Sequence, residues 1–387
     1  MSINQISFYY CPSKIFMGKG SHRKIEEIIK DWGKKRLFLT VDGALLQSEI
    51  VANVKELLDR NGIGFSIFSD IEADPSAITV EKAFEICKED KAEALIAIGG
   101  GSSIDVAKAV GILATNGGRI HDYEGIKKFS TPPLPLIAIP TTAGTGSEVS
   151  GSCVITDTEK DLKMSIRHAT LNPADVAILD PIGLQTLPGT VAAHSGMDAF
   201  VHAFESYLSR NANPITDGIN LYAMELISQN IRQFTANRQN MEAGINMLMG
   251  SCLAGMTFGQ TGLGNVHCMA RFVGAFFHIS HGLSNAICLP HAAKFNLLAN
   301  PAKYARTAMA MGVNTTGLSE MESAEKGLAS IIKLCTDLGI PSRLRDIGAT
   351  EDTLKEMARL SSNAGYNKWN PRHSTYDDFL KLFQDAF

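Results

Sequence analysis

The sequence lacks the features of a secreted, zinc-ribbon or membrane protein. Its seven cysteines form no CxxC pair, which disfavours a zinc ribbon or a disulfide framework and suits reduced thiols. No apolar run approaches the roughly 18 residues that a membrane span needs. The start, MSINQISFYYCPSKIF, has no basic segment followed by an apolar one, as a secretory signal would. We therefore expect a cytoplasmic protein that does not act at a membrane.

An excess of positive charge is also absent. The formal net charge is -4 at pH 7, which argues against a surface for a polyanion, so nucleic acid is not an expected partner. Hydrophobic residues make up 45% and charged residues 20% of the chain, as in ordinary globular proteins. The 387 residues exceed the roughly 250–300 at which single cores stop growing, and two domains are expected.

The first half of the chain alternates short apolar runs with helical patterns, which indicates βαβ units and a parallel, doubly wound sheet. After Asp180 long helical patterns replace the strand-like runs. We predict an α/β nucleotide-binding domain over residues 1–183 and an all-helical domain over residues 184–387. In the first domain, after an extended segment at 7–17, strands are expected at 36–41, 65–68, 94–98, 136–139, 153–156 and 176–179, and helices at 21–32, 50–61 and 77–90.

Two loops rich in glycine and hydroxyl groups follow predicted strands. One is GGGSSIDVAKAV at residues 99–110, where backbone N–H groups at a helix start can approach a pyrophosphate. The other is IPTTAGTGSE at residues 139–148, whose hydroxyls suit a ribose or phosphate. Tight packing of the turn is the alternative for the glycines, and ordinary turn capping is the alternative for the hydroxyls. Both loops should lie at the carboxyl edge of the sheet, where open α/β folds bind ligands.

The stretch HSGMDAFVHAFESY at residues 194–207 is predicted to form a buried helix, because its apolar residues recur at helical spacing. Asp198 and His202 then lie one turn apart on one face, where one divalent cation would satisfy both. Two of His267, His278 and His281 would complete a set of four ligands. The alternative is that Asp198 and His202 form a surface pair or a satisfied hydrogen bond in the core.

Five motifs together resemble the iron-dependent (group III) alcohol dehydrogenase family. They are GGGSxxDxAKA, PTTAGTGSE, the HSGMDAFVHAFESY helix, GLGNVH…SHGLSNAICLPH, and the terminal NPR followed by an aromatic end, and they cover essentially the whole chain in order. The resemblance implies the dehydroquinate synthase-like architecture of that family, with a nucleotide-binding α/β domain, a helical domain, and a metal and nicotinamide in the cleft between them. Glycerol dehydrogenases, which use zinc, and dehydroquinate synthases share this fold.

The resemblance also assigns residues. It implies NAD(H) with a divalent metal, Fe²⁺ first and Zn²⁺ as the alternative, and we expect a homo-oligomer, as a dimer. Asp42 follows the strand predicted at 36–41. Its acidic side chain favours NAD(H) over NADP(H) because it can accept from ribose hydroxyls and repel a 2′-phosphate; a surface turn is its alternative role. The implied metal ligands are Asp198, His202, His267 and His281, and the implied cofactor residues are Asp42, Asp74, Gly100, Gly101, Ser102, Thr141, Thr142, Thr145, Lys163 and Leu179.

Two positions depart from the family pattern. Arg271 stands one turn after His267, where the family usually has a second histidine thought to assist proton transfer. Arginine stays charged at neutral pH and binds carboxylates, sulfonates or phosphonates as a two-pronged donor, so its guanidinium is expected to point toward the metal cleft and hold an anionic substrate. A structural pair with a nearby carboxylate is the alternative. His278 stands where the family more often has a small polar residue such as Asn, and we include it with Arg271 as a substrate residue.

These patterns predict a metal-dependent, NAD(H)-linked enzyme that interconverts a small aldehyde and its primary alcohol. Among anionic aldehydes, sulfoacetaldehyde, reduced to isethionate, fits Arg271 best. The alternatives are a reductase of neutral short-chain aldehydes, of the ethanol, propanediol or lactaldehyde type, and a nucleotide-binding sensor that has lost catalysis.

Overall fold

The computed structural model describes residues 6–160 and 162–387. These residues cluster into two compact units, one spanning Tyr10–Leu187 and the other made mainly of Pro188–Phe387. The predicted boundary at residues 183 and 184 stays a prediction. Among the described residues, each helix is too short or too polar to cross a bilayer.

The first unit contains strands and helices in alternation. Its strands are β1 (Lys14–Met17), β2 (Arg36–Val41), β3 (Gly64–Phe68), β4 (Ala94–Gly99), β5 (Gly125–Ile126), β6 (Leu136–Pro140), β7 (Ser152–Asp157), β8 (Leu162–Arg167) and β9 (Val176–Leu179). Its helices are α1 (Ile25–Trp32), α2 (Glu49–Arg60), α3 (Ala77–Glu89) and α4 (Gly101–Asn116). The predicted alternation of helices and strands therefore occurs in the chain.

Six strands form one parallel sheet in the order β1-β9-β6-β4-β2-β3. Successive residues of β2 point to opposite faces, as strand geometry requires. Leu37 and Leu39 enter the core with α1 and α2, whereas Phe38 enters the core with α3 and α4. Because apolar side chains are buried on both faces, these strands read as nearly continuous hydrophobic runs in the sequence.

A small second sheet, in the order β5-β8-β7, was not predicted. Strand β7 pairs antiparallel with β8, from Ser152 opposite Arg167 to Asp157 opposite Leu162. Strand β8 reads LKMSIR, and only Met164 and Ile166 of it are buried. Two buried residues give too short a pattern to distinguish a strand from a loop.

The second unit is all helical throughout the residues described. Its helices are α5 (Gly189–Leu208), α6 (Pro214–Ala236), α7 (Met241–Thr261), α8 (Asn265–Phe277), α9 (His281–Asn296), α10 (Pro301–Ala310), α11 (Glu320–Asp337), α12 (Glu351–Ser362) and α13 (Tyr376–Ala386). The stretch predicted as a buried helix lies in α5, which packs against α6, α7 and α9.

Helices α8 and α9 begin close to the predicted metal ligands. Helix α9 begins at His281, directly after Ser280, whose hydroxyl accepts the backbone N–H of Leu283. Helix α8 begins at Asn265 after Gly264, which has no side chain to cap the helix. Short loops thus place two histidines in the first turns of neighbouring helices.

Candidate functional site

Four predicted metal ligands come together in the helical unit. Helix α5 supplies Asp198 and His202, helix α8 supplies His267, and helix α9 supplies His281. One donor atom from each lies within 4.8 Å of the others. Three of these side chains are buried, and that of His281 is 50% exposed, so the group can be reached from its His281 side. His278, the other histidine considered for this set, lies outside the group.

The position of the Asn285 amide indicates that these donor atoms could bind a cation. Its Nδ2 donates to Oδ1 of Asp198 at 2.6 Å and lies 3.1 Å from Nε2 of His281 and 3.3 Å from Nε2 of His267. One electropositive group therefore sits among three ligand atoms at once. A carboxylate oxygen and imidazole nitrogens that face a common point are the donor set of a divalent transition metal.

The protonation states of His267 and Asp198 also suit cation binding. The pKa of His267 is held well below its usual value by burial and by the neighbouring rings of His202 and His281, so its imidazole is neutral and can offer a lone pair. Burial alone would raise the pKa of Asp198, but the three histidines and the Asn285 amide together lower it. Asp198 is therefore ionised, as a metal ligand must be.

Glu205 is a site residue that the sequence reasoning missed. It is buried on α5, and its carboxylate accepts from Nδ1 of His267 at 2.7 Å and from the backbone N–H of Val266 at 2.6 Å. Burial raises the pKa of Glu205 to about 7, against the lowering effect of the backbone N–H groups of residues 264, 266 and 267. Helical spacing could have indicated it, because Glu205 lies one turn after His202 and shares its helix face. Asn285 likewise lies one turn after His281.

Aromatic rings pack against the buried side of the ligand group. The ring of Phe258 stacks on that of His202 with centroids 4.5 Å apart, and His202 stacks on His267 at 4.8 Å. Close packing of this kind restricts the imidazole rings to one orientation.

Arg271 and His278 are exposed, in contrast to His267. The Arg271 guanidinium lies 5.9 Å from the ring centroid of Phe272, and it has no carboxylate within 4.0 Å in the part of the chain that the structure describes. His278 follows the last residue of α8 with a φ of 51°, a left-handed conformation that is uncommon for residues other than glycine. Neither side chain joins the ligand group.

The predicted cofactor loops lie side by side in the first unit. Val41 of β2 pairs with Ile98, and Gly99 of β4 pairs with Pro140, so the segments after these strands leave one edge of the sheet. Added Cβ atoms at Gly100 and Gly101 would lie 3.4 Å from Thr142 and 2.9 Å from Thr145. The two loops therefore pack on each other, which agrees with the alternative of tight turn packing. The turn after β4 also leads directly into the first residue of α4, and phosphate binding requires a helix start at this place.

The other predicted cofactor residues surround these loops. The Asp42 carboxylate accepts the backbone N–H of Ala44 at 3.0 Å, which is a turn-capping role. Asp74 and Lys163 form an exposed ion pair at 2.6 Å, a type of pair that contributes little to stability. The Ser102 hydroxyl donates to the Ala73 carbonyl. Thr141 and Leu179 are buried at the ends of β6 and β9.

Two family models match the chain. The model described as "Iron-containing alcohol dehydrogenase" matches residues 12–181, and "Fe-containing alcohol dehydrogenase family, C-terminal" matches residues 192–387. The chain is 38% identical to the 1,3-propanediol dehydrogenase of Klebsiella pneumoniae, over 98% of each chain. It is 34% identical to the NAD-dependent methanol dehydrogenase of Bacillus methanolicus, over 98% of this chain and 99% of that one. It is also 34% identical to the lactaldehyde reductase of Escherichia coli K12, over 96% and 97%.

Solved structures agree with these matches. A crystal structure of 1,3-propanediol oxidoreductase superimposes with a TM-score of 0.96 at 37% identity, over 99% of this chain and all of that one. The sulfoacetaldehyde reductase of Bifidobacterium kashiwanohense, solved in complex with NAD⁺, superimposes with a TM-score of 0.89 at 27% identity, over 99% of each. The predicted fold, enzyme class and cofactors, NAD(H) with a divalent metal, are confirmed by these matches together with the group of four residues that could hold a metal ion. The chain therefore belongs to the iron-containing alcohol dehydrogenase family.

Proposed function

We propose that this enzyme interconverts a small aldehyde and its primary alcohol, using NAD(H) and one divalent metal ion held by Asp198, His202, His267 and His281. The observation that carries the proposal is the convergence of one carboxylate and three imidazoles, with one donor atom of each within 4.8 Å of the others, in the helical unit. This donor set contains no thiolate and suits Fe²⁺, with Zn²⁺ as the alternative. When bound, the metal supplies Lewis acidity toward an alcohol or carbonyl oxygen, and nicotinamide supplies or accepts the hydride.

We propose that the loops of the first unit bind the cofactor. The backbone N–H groups of Gly100, Gly101 and Ser102 at the start of α4 would hold the pyrophosphate. Asp42 would accept from the adenosine ribose and disfavour a 2′-phosphate. The other proposed contacts, supported by their position beside these loops, are Asp74, Thr141, Thr142, Thr145, Lys163 and Leu179.

For the substrate, a neutral short-chain aldehyde is the first candidate. Relatives that match almost the whole chain are named for 1,3-propanediol and lactaldehyde. These compounds are small and carry a second oxygen but no charge. The proposed homodimer is a separate expectation, based on the family resemblance, and it can be tested by the mass of the protein in solution.

An anionic aldehyde such as sulfoacetaldehyde is the second candidate, and Arg271 supports it. Among the described residues no carboxylate pairs with its guanidinium, which argues against the structural ion pair considered as its alternative role. The match to a sulfoacetaldehyde reductase structure at 27% identity is a further, weaker support. His278, exposed near the start of α9, would be a neighbouring substrate contact.

Oxidation of NADH by metal-analysed protein tests the proposal. The panel contains propanal, lactaldehyde, 3-hydroxypropanal and sulfoacetaldehyde. We expect the highest kcat/KM with a neutral three-carbon aldehyde. If metal-loaded protein oxidises NADH with none of these aldehydes, the catalytic proposal is wrong and a nucleotide-binding sensor becomes the better interpretation.

Replacing Arg271 separates the two substrate candidates. If Arg271 binds an anionic group, Arg271→His should lower kcat/KM for sulfoacetaldehyde by roughly 30- to 1,000-fold, or about 2–4 kcal/mol, and should leave propanal similar or improved. Arg271→Lys should retain only part of the activity, because an ammonium lacks the planar fork. Arg232→His, on α6, is the control for loss of a surface arginine. An equal loss with both aldehydes would exclude a role in anion binding.

A further inference from the structure

We propose that Glu205 is the positioning residue of the metal site, because it fixes both the ring tautomer of His267 and the start of the helix that carries it. The inference rests on the proposed function, since it assumes that His267 ligates a metal ion. It adds a residue that neither the motifs nor the four-ligand group includes.

One carboxylate connects two ligand-bearing helices. Glu205 lies on α5, one turn after His202, and it reaches the first turn of α8. There it accepts the backbone N–H groups of Val266 at 2.6 Å and His267 at 3.3 Å. Helix starts leave such N–H groups without partners, and Gly264 offers no side chain to cap α8. Glu205 therefore supplies from another helix the cap that α8 lacks.

The same carboxylate determines where the proton of His267 resides. Its Oε2 lies 2.7 Å from Nδ1 of His267. The backbone N–H groups of Val266 and His267, which donate to the same carboxyl group, favour its ionised form. An ionised carboxylate only accepts, so Nδ1 is then the donor. In a neutral ring the proton on Nδ1 leaves the lone pair on Nε2. That nitrogen faces the ligand group, 3.3 Å from the Asn285 amide. A carboxylate behind a ligating histidine in this way orients the ring and makes it a stronger donor.

Glutamine at position 205 would separate these two roles. Its carbonyl oxygen can still accept the N–H of Val266 and keep α8 capped. Its NH₂ group would then face Nδ1 of His267 and can only donate. The ring would have to place its proton on Nε2, where it blocks a metal.

The first unit contains a matched control. The Asp180 carboxylate is buried and accepts from Nδ1 of His22 at 2.7 Å, from the backbone N–H of His22 at 3.2 Å, and from that of Ile182 at 3.2 Å. The chemistry is the same as at Glu205, but neither residue belongs to the ligand group. Asp180→Asn should therefore cost stability without affecting metal binding in the helical unit.

The experiment measures the affinity of Zn²⁺ and Co²⁺ by competition with a chelator in wild type, Glu205→Gln and Asp180→Asn, together with thermal unfolding of each metal-free protein. We expect Glu205→Gln to bind metal roughly 10- to 100-fold more weakly and to change the visible Co²⁺ spectrum, whereas Asp180→Asn matches wild type in both. Wild-type affinity and spectrum in Glu205→Gln, even with reduced stability, would overturn the proposal. Wild type that binds no divalent metal tightly would instead overturn the metal site itself.

A second measurement reads the tautomer directly in the wild-type protein. In metal-free wild type labelled with ¹⁵N-histidine, His267 should be the Nδ1–H tautomer, with its signals assigned by their loss in His267→Asn. An Nε2–H tautomer at His267 would refute the role of Glu205.

Discussion

Gly282 offers the most direct test of how the helices place the proposed metal ligands. It follows His281 in α9 and lies against the backbone of α5, where a Cβ would come within 2.7 Å of the carbonyl carbon of His194 and still closer to its oxygen. These are backbone atoms, so no side chain can move aside. In Gly282→Ala the start of α9 must therefore shift away from α5.

The size of the effect follows from that contact. Ordinary contacts between carbon atoms begin at about 3.5 Å, so the helix start must move by roughly 1 Å. Overpacking of this kind costs about 1–3 kcal/mol. For a unit of this size the melting temperature should fall by roughly 2–12 °C, at about 2–4 °C per kcal/mol. A metal site tolerates errors of about 0.2 Å in ligand distances. Displacement of His281 should therefore lower the free energy of metal binding by more than it lowers the free energy of unfolding.

Two measurements on Gly282→Ala check this reasoning: thermal unfolding of the metal-free protein and metal content after dialysis. Gly218→Ala on α6 is the matched control, since its Cβ would meet nothing within 4 Å and alanine in an open helix position stabilises by about 0.5–1 kcal/mol. The two variants should thus change stability in opposite directions. Wild-type metal content and melting temperature in Gly282→Ala would refute the close contact between α5 and α9.

Three further predictions concern the proposed ligands and cofactor residues. His267→Ala and His281→Ala should each lose activity and metal content together; full metal occupancy in His281→Ala would remove it from the ligand set. Asp42→Gly should raise activity with NADPH relative to NADH, because a charge near the 2′-phosphate is removed; an unchanged preference would place Asp42 outside the adenosine pocket. Gly101→Val should raise KM for both cofactors, since its side chain meets Thr145; unchanged KM values would exclude pyrophosphate binding at this turn.

Strands buried on both faces were predictable because most of their residues are apolar. The strands predicted at 36–41 and 176–179 match β2 and β9 residue for residue. Helix α1 ends at Trp32, where the predicted helix ends, and Gly33 follows it in a left-handed conformation. By contrast, β8 is held by pairing with β7 rather than by burial. Pairing leaves no periodic signal in a strand whose side chains are mostly exposed.

The ligand set was predictable only in part from spacing. Spacing alone placed Asp198 and His202 on one helix face, but it left three histidines as candidates for the other two ligands. Only the family resemblance selected His267 and His281. Glu205 and Asn285 were missed because they act through the tertiary contacts of α5, α8 and α9. A carboxylate on a helix has the same sequence signature whether it faces solvent or a histidine of another helix. The expected orientation of Arg271 toward the metal cleft stays a prediction, and the structure shows its side chain exposed on α8.

Glu148, the last residue of the PTTAGTGSE motif, should make the stability of the first unit depend on pH. It is buried, and burial raises its pKa from 4.5 to about 7 despite the attraction of Lys108. Between these two values the folded chain keeps a proton that the unfolded chain has released, so stability falls as the pH rises and is lowest above pH 7. The difference between the two pKa values corresponds to about 3 kcal/mol in the free energy of unfolding. Glu148→Gln removes this ionisation. In urea unfolding, the free energy of unfolding of the variant should therefore rise relative to that of wild type by up to this amount between pH 4.5 and pH 7.5. A difference between the two proteins that stays constant over this range would mean that Glu148 is already ionised in the folded chain, with a partner strong enough to offset its burial.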